Sequence, residues 1–134
     1  MRREYLFFVY ILTNYQKTVL YVGVTDNLIR RVIEHKFGFG SDFTRKYNVK
    51  YLVYFEEYGY INLAIAREKE LKGWIRRKKI DLIKKENPLF SDLSPKIFKD
   101  SGYNNKEIEK IAVEIRRSYQ IDPSPGAQDD KKIV

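Results

Sequence analysis

The chain has no cysteine. Disulfides, zinc–thiolate centres and thiol nucleophiles are therefore excluded, and a reducing cytoplasm is the expected compartment. Its one histidine, His35, is the only source of imidazole chemistry. No apolar run approaches the roughly 20 residues that span a bilayer, so no membrane association is expected. The basic start Met1-Arg2-Arg3 leads into an apolar stretch that ends by Leu12 with no small-residue cleavage site, so no secretory leader is expected. There is no internal repeat and no phosphate-binding glycine loop, EF-hand or zinc motif.

What is present is a basic chain of 134 residues, 43% of them hydrophobic, enough for the core of one domain. The formal net charge is +8 and it is unevenly spread. Residues 1–99 hold 20 Lys and Arg against 11 Asp and Glu, whereas residues 100–134 hold 6 against 7. A positive field on the expected domain favours a polyanion as partner, and nucleic acid is the commonest one.

Hydrophobic patterning predicts a small α+β domain. Tyr5 to Leu12 reads as a central strand buried on both faces, and Val19 to Val24 as its hairpin partner across Asn14–Thr18. Thr25 or Asp26 can cap a helix to about Lys36, with Leu28, Ile29, Val32 and Ile33 inward. Phe37 to Asp42 breaks that helix, Phe43 to Tyr47 forms a short helical turn, and Val49 to Tyr58 is the third strand. Asn62 is the expected cap of a long helix from Leu63 to about Lys78. A shorter one follows from Lys79 to Glu86, ended by Asn87-Pro88. The expected fold is a small three-stranded antiparallel sheet flanked by helices, in the order β-β-α-β-α-α. The domain is expected to occupy residues 1–98, with Ser94-Pro95 as a joint. An amphipathic C-terminal helix is expected within 99–119, and a disordered polar tail over 120–134.

The hairpin brings Tyr10 and Tyr21 together, and the next helix carries Arg31 and His35 on one face, four residues apart, with Asn27 on the same stripe. A phenol, a guanidinium and an imidazole can together handle a proton and neutralise phosphate charge. Glu68 falls on the apolar stripe of the long helix with Ala64 and Leu71. A carboxylate in that position is costly unless paired or metal-bound, so it is either a ligand or half of a structural pair with Arg31 or Arg67. Glu70 turns to solvent. The densest basic run, Arg76, Arg77, Lys78 and Lys79, suits contact with a phosphate backbone, and Lys84, Lys85, Arg45 and Lys46 add to it. A solvated helix face is the alternative for that run, and Trp74 reads as a core anchor.

Taken in order, Phe8-Val9-Tyr10, Tyr21-Val22-Gly23, Arg31, His35, Ala64 to Lys72 with Glu68, Trp74, and Asn87-Pro88 resemble the GIY-YIG nuclease superfamily. They are most similar to its small single-domain bacterial branch of excinuclease-subunit-C-like endonucleases, from about Tyr5 to Leu93. The resemblance implies a metal-dependent endonuclease cleaving DNA to a 3′-hydroxyl and a 5′-phosphate, structure-selective and serving repair or recombination. In it Glu68 holds Mg²⁺ or Mn²⁺, Arg31 stabilises developing charge, and Tyr10, Tyr21 and His35 position or deprotonate water. Arg30, Lys36, Arg45, Lys46, Arg76, Arg77, Lys78 and Asn87 are the expected nucleic-acid contacts. Two positions depart from the family pattern: Phe8 stands at the first motif's glycine, and Val24 where repair members carry lysine. The alternative is a non-catalytic DNA- or RNA-binding module on the same fold.

Overall fold

The computed structural model describes residues 5–120; the expected tail from 121 onward lies outside the described residues. Three antiparallel strands, β1 (Phe7–Thr13), β2 (Leu20–Thr25) and β3 (Tyr51–Tyr58), form one sheet in the order β2-β1-β3. The α+β architecture is thus the expected one, with the apolar first strand in the middle. The hairpin is closed by Asn14, whose side-chain oxygen accepts from the backbone N–H groups of Thr18 and Val19.

Strand alternation divides the core in two. Tyr10 and Leu12 face α1 (Leu28–Lys36), α5 (Ser94–Asp100) and α6 (Asn105–Gln120). Val9, Ile11 and Val22 face α3 (Ile61–Gly73) and α4 (Arg76–Glu86) through Ala64, Leu71 and Ile83. A register shift between Ile11 and Leu12 interrupts the pairing of β1 with β3.

Several helix ends differ from expectation. Asn27 caps α1, its side chain accepting from the N–H of Arg30 at 3.1 Å, in place of Thr25 or Asp26. The Ser41 side chain caps the short α2 (Asp42–Lys46). The long helix begins at Ile61 after Tyr60, with no side-chain cap, and stops at Gly73 rather than near Lys78. Glycine is a weak helix former, and Trp74 and Ile75 turn extended before α4 starts. Ser94-Pro95 opens α5, with proline in the first turn, where its missing N–H costs no helical bond. The C-terminal helix α6 packs against the main core through Ala112 and the fully buried Ile115.

Candidate functional site

Tyr10 and Tyr21 are not direct cross-strand partners. Leu12 opposes Tyr21, and Gly23 opposes Tyr10, so the tyrosines are diagonal neighbours with ring centroids 6.4 Å apart. Glycine at 23 is a packing requirement. A Cβ there would lie 2.4 Å from both Cζ and the hydroxyl of Tyr10, so a side chain would expel the ring. The Tyr10 ring is buried and runs over this gap towards α1.

On α1, Arg31 and His35 both reach the Tyr10 hydroxyl: Arg31 Nε donates to it at 3.3 Å, and His35 Nε2 lies 3.3 Å away. Arg31 Nη1 donates to Glu34 at 3.0 Å. Among the described residues Nη2 has no hydrogen-bond partner. The guanidinium borders a cavity of about 470 Å³ whose lining includes Arg30, Arg31, Glu34, Ile61 and Ile65.

His35 is interior rather than surface. Its Nδ1 lies 3.1 Å from Thr44 Oγ1, and the Thr44 hydroxyl donates to the Ser41 carbonyl. With that hydroxyl proton committed, Nδ1 carries the imidazole proton and Nε2 accepts from Tyr10. Gly40 closes over this pair, since a Cβ there would lie 2.2 Å from Nδ1. Burial first, and then the charge of Arg31, pull His35 down to about 4, so the ring is neutral at pH 7. Burial pushes Tyr10 up to about 12, against the opposing pull of Arg31. At neutral pH the Tyr10 phenol therefore keeps its proton. Tyr21, half-buried, has its ring 5.7 Å from that of His35, and its hydroxyl has no partner among the described residues.

Glu68 stands apart from these four. No hydrogen bond or ion pair joins it to them among the described residues; its carboxylate pairs with Lys72 on the next turn at 2.8 Å. The expected alternatives, Arg31 and Arg67, are engaged elsewhere. Arg67 makes a two-pronged contact with Glu56, which also accepts from Tyr54 and Tyr58. Ile61, Ile65 and Glu68, spaced by four and three, share one face of α3, and Ile61 and Ile65 line the Arg31 cavity. Glu68 thus follows Ile65 by three residues on the face that borders the cavity. Among the described residues no group of three or more His, Cys, Asp or Glu could hold a metal ion.

The expected nucleic-acid contacts divide. Arg77 and Lys78 are exposed on α4 with no ion pair among the described residues, and Lys78 Nζ sits 4.1 Å from the Trp74 ring centroid. Arg76 donates to the Lys17 carbonyl, Arg30 reaches Glu34 at 3.8 Å, and Arg45 pairs with Asp42. Lys46 lies over the Tyr47 ring. Lys36 is tied to Asp92 at 2.8 Å. Asn87 is corrected: it is buried, donates to the Val53 and Ser91 carbonyls and accepts from the Ser91 N–H, so its polar atoms hold the fold. Sequence reasoning missed Glu34, Gly40 and Thr44 as supports of the cluster. The spacing of Ser41 and Thr44 at the start of α2 was the available signal.

The profile of the GIY-YIG catalytic domain matches residues 6–81. The chain belongs to the GIY-YIG family. A UPF0213 protein of Natronomonas pharaonis is 39% identical over 79 residues, covering 59% of this chain and 92% of its own. One from Pediococcus pentosaceus is 34% identical over 87 residues, 65% of this chain and 90% of its own. The solution structure of a UPF0213 protein from Bacillus halodurans is also similar, at 28% identity, 66% coverage of this chain, 94% of that one, and a TM-score of 0.44. The GIY-YIG match spans Tyr10, Tyr21, Arg31, His35 and Glu68 and stops before Asn87.

Proposed function

We propose that this protein is a nucleic-acid-binding module on the GIY-YIG fold, gripping a backbone phosphate at Arg31, with DNA or RNA as ligand. The observation that carries this reading is the guanidinium of Arg31. Two of its nitrogens are committed to Tyr10 and Glu34, and the third is uncommitted beside an open cavity. A rigid guanidinium with a free edge suits a phosphate oxygen. The first turn of α4 supports it: Arg76, Arg77, Lys78 and Lys79 sit at the helix end whose dipole disfavours cations. The test is fluorescence anisotropy with labelled oligonucleotides at about 50 mM salt, where non-specific binders reach roughly 1–100 μM. Arg31→Ala should weaken binding about tenfold or more with unchanged helical CD. A wild-type chain with no measurable binding would sink the reading.

A second reading, a metal-dependent endonuclease hydrolysing DNA phosphodiester bonds, is favoured by one observation. Side chains from β1, β2 and α1 gather Tyr10, Tyr21, Arg31 and His35. In this reading Arg31 neutralises charge on the attacked phosphate, and Tyr21, with its free hydroxyl, orients the water. His35 acts through Tyr10, holding that phenol in place. Glu68 would hold Mg²⁺ or Mn²⁺; one carboxylate with water and phosphate oxygens suits magnesium, and Lys72 is an exposed partner it could give up. When bound, such an ion polarises phosphoryl oxygens and stabilises the leaving alkoxide. The chain would then act in the cytoplasm, on the small excinuclease-subunit-C-like branch, as a structure-selective enzyme of repair or recombination.

This reading is checked by nicking of supercoiled, branched and single-stranded DNA with Mg²⁺ or Mn²⁺ against EDTA. Glu68→Ala should abolish cleavage and leave binding intact. Equal cleavage by wild type and Glu68→Ala would defeat it.

A further inference from the structure

Outward from Tyr21 the site continues as a run of aromatic rings. Phe43 is stacked on Tyr21, centroids 6.0 Å apart and planes 26° from parallel. Tyr47 follows, its centroid 4.9 Å from that of Phe43. With Tyr10 this makes a continuous series from a buried ring to two that are 44% and 43% exposed. Among the ring contacts of the described residues, Phe43 meets the main core only at its edge, through the half-buried Tyr21, and both Phe43 and Tyr47 leave much of their surface in solvent. Two large rings, one on α2 and one at its C-cap, thus stay more than two-fifths exposed at the cost of unburied apolar surface.

Cations lie around them: Arg45 and Lys36 are paired with Asp42 and Asp92, while Lys46 and Lys50 have no ion pair among the described residues. Lys46 Nζ sits 5.4 Å from the Tyr47 ring centroid, and Arg45 is the intervening residue of the same helix. Lys36, Arg45 and Lys50 line a small recess of about 90 Å³ that also takes in Thr44 of α2. Exposed aromatic faces flanked by cations suit a flat, apolar group carried on an anionic backbone. An unpaired nucleobase is such a group, because every base offers a π-face while its phosphate meets the cations. A base inside a duplex has both faces covered by its neighbours and cannot use the platform.

We infer that Phe43 and Tyr47 form a stacking platform for an unpaired base of the strand whose phosphate is held at Arg31, so that the ligand is single-stranded nucleic acid or a splayed junction strand. This rests on the nucleic-acid reading above and deepens it to a substrate class. The role is positioning: the rings fix which nucleotide reaches Tyr21 and Arg31.

The experiment compares single-stranded and duplex oligonucleotides of one sequence, as DNA and as RNA, with 2-aminopurine as stacking reporter. Wild type should prefer the single strand and quench 2-aminopurine. Phe43→Ala and Tyr47→Ala should each lose about 5- to 150-fold in single-strand affinity, with duplex affinity nearly unchanged. Phe43→Leu and Tyr47→Leu keep apolar bulk without an aromatic face, and should lose the quenching while melting within a few degrees of wild type. Phe43→Trp should restore it. Wild type binding both forms equally, or leucine variants that keep the preference and the quenching, would overturn the platform while leaving phosphate binding standing. Absence of any oligonucleotide binding would overturn both.

Discussion

The Tyr10 hydroxyl lies 3.3 Å from His35 Nε2, and the shared proton resides on tyrosine. Thr44 fixes this by accepting from Nδ1, which leaves Nε2 a lone pair. A neutral imidazole and a neutral phenol then sit buried beside a cation, Arg31, whose outer edge borders the open cavity.

Stability should therefore depend on pH through His35. The unfolded chain protonates this residue below its ordinary 6.5, whereas the folded chain does so only near 4. The unfolded state thus binds more protons across that window, and stability falls as pH drops from about 6.5 towards 4. The loss approaches about 3 kcal/mol. Urea denaturation at pH 7 and 4.5 measures it. His35→Gln should lower stability at pH 7 but flatten the slope between 6.5 and 4.5. The depressed carboxylates Glu56 and Asp92 add their losses lower, as pH falls through their range in both proteins. An unchanged slope in the variant would contradict the buried neutral ring.

Gly23→Ala should destabilise by about 1–3 kcal/mol, since the added methyl overlaps the Tyr10 ring. Oligonucleotide affinity should fall with it, because a displaced phenol no longer anchors Arg31. Thermal melting together with anisotropy checks both. A melt matching wild type would mean that the ring has room to move.

Arg77→Ala should reduce the slope of log affinity against log salt by about 0.7 on a single strand, the share of one phosphate contact. Its melting temperature should hold or rise slightly, because a cation leaves the positive end of α4. Lys85→Ala, at the opposite end of the same helix, should cost a few tenths of a kcal/mol in stability. A salt titration of each variant reads the first effect and calorimetry the second.

Ile115→Ala should cost about 2–5 kcal/mol, as expected for a fully buried isoleucine. The helix it sits on also brings the Tyr119 hydroxyl to the Phe39 carbonyl at 2.9 Å, next to Gly40, which closes on His35. We expect residues 1–98 alone to melt far below the full chain. Equal melting of the two would show that α6 is dispensable.

Much of the fold was legible because its signals are local. The short apolar runs on either side of Asn14–Thr18 marked β1 and β2 as a hairpin, and the near-continuous apolar run of the first marked it as central. Asn87-Pro88 ended α4 as expected. The α3 boundary was missed because periodicity continues through Gly73, and only the extended backbone at Trp74 and Ile75 separates the two helices. Arg31 and His35 were placed on one helix face, yet one borders a cavity and the other lies inside. Their environments are supplied by Glu34 and by Thr44, nine residues beyond His35. Asn87 looked like a ligand contact because a buried asparagine and an exposed one read alike in a sequence.

The order of residues determined the strands, most of the helices, the family motifs and the positive field, since each depends on spacing or composition along a few neighbouring positions. Tertiary structure decided which of those residues touch and in what protonation state: Tyr10 and His35 neutral, Arg31 with one free edge, Glu68 held by Lys72 one turn away. The physical reason is that desolvation and hydrogen bonding are set by whatever distant segment covers a side chain. Gly40, Thr44 and Tyr119 cover this site from elements that no local period connects to it.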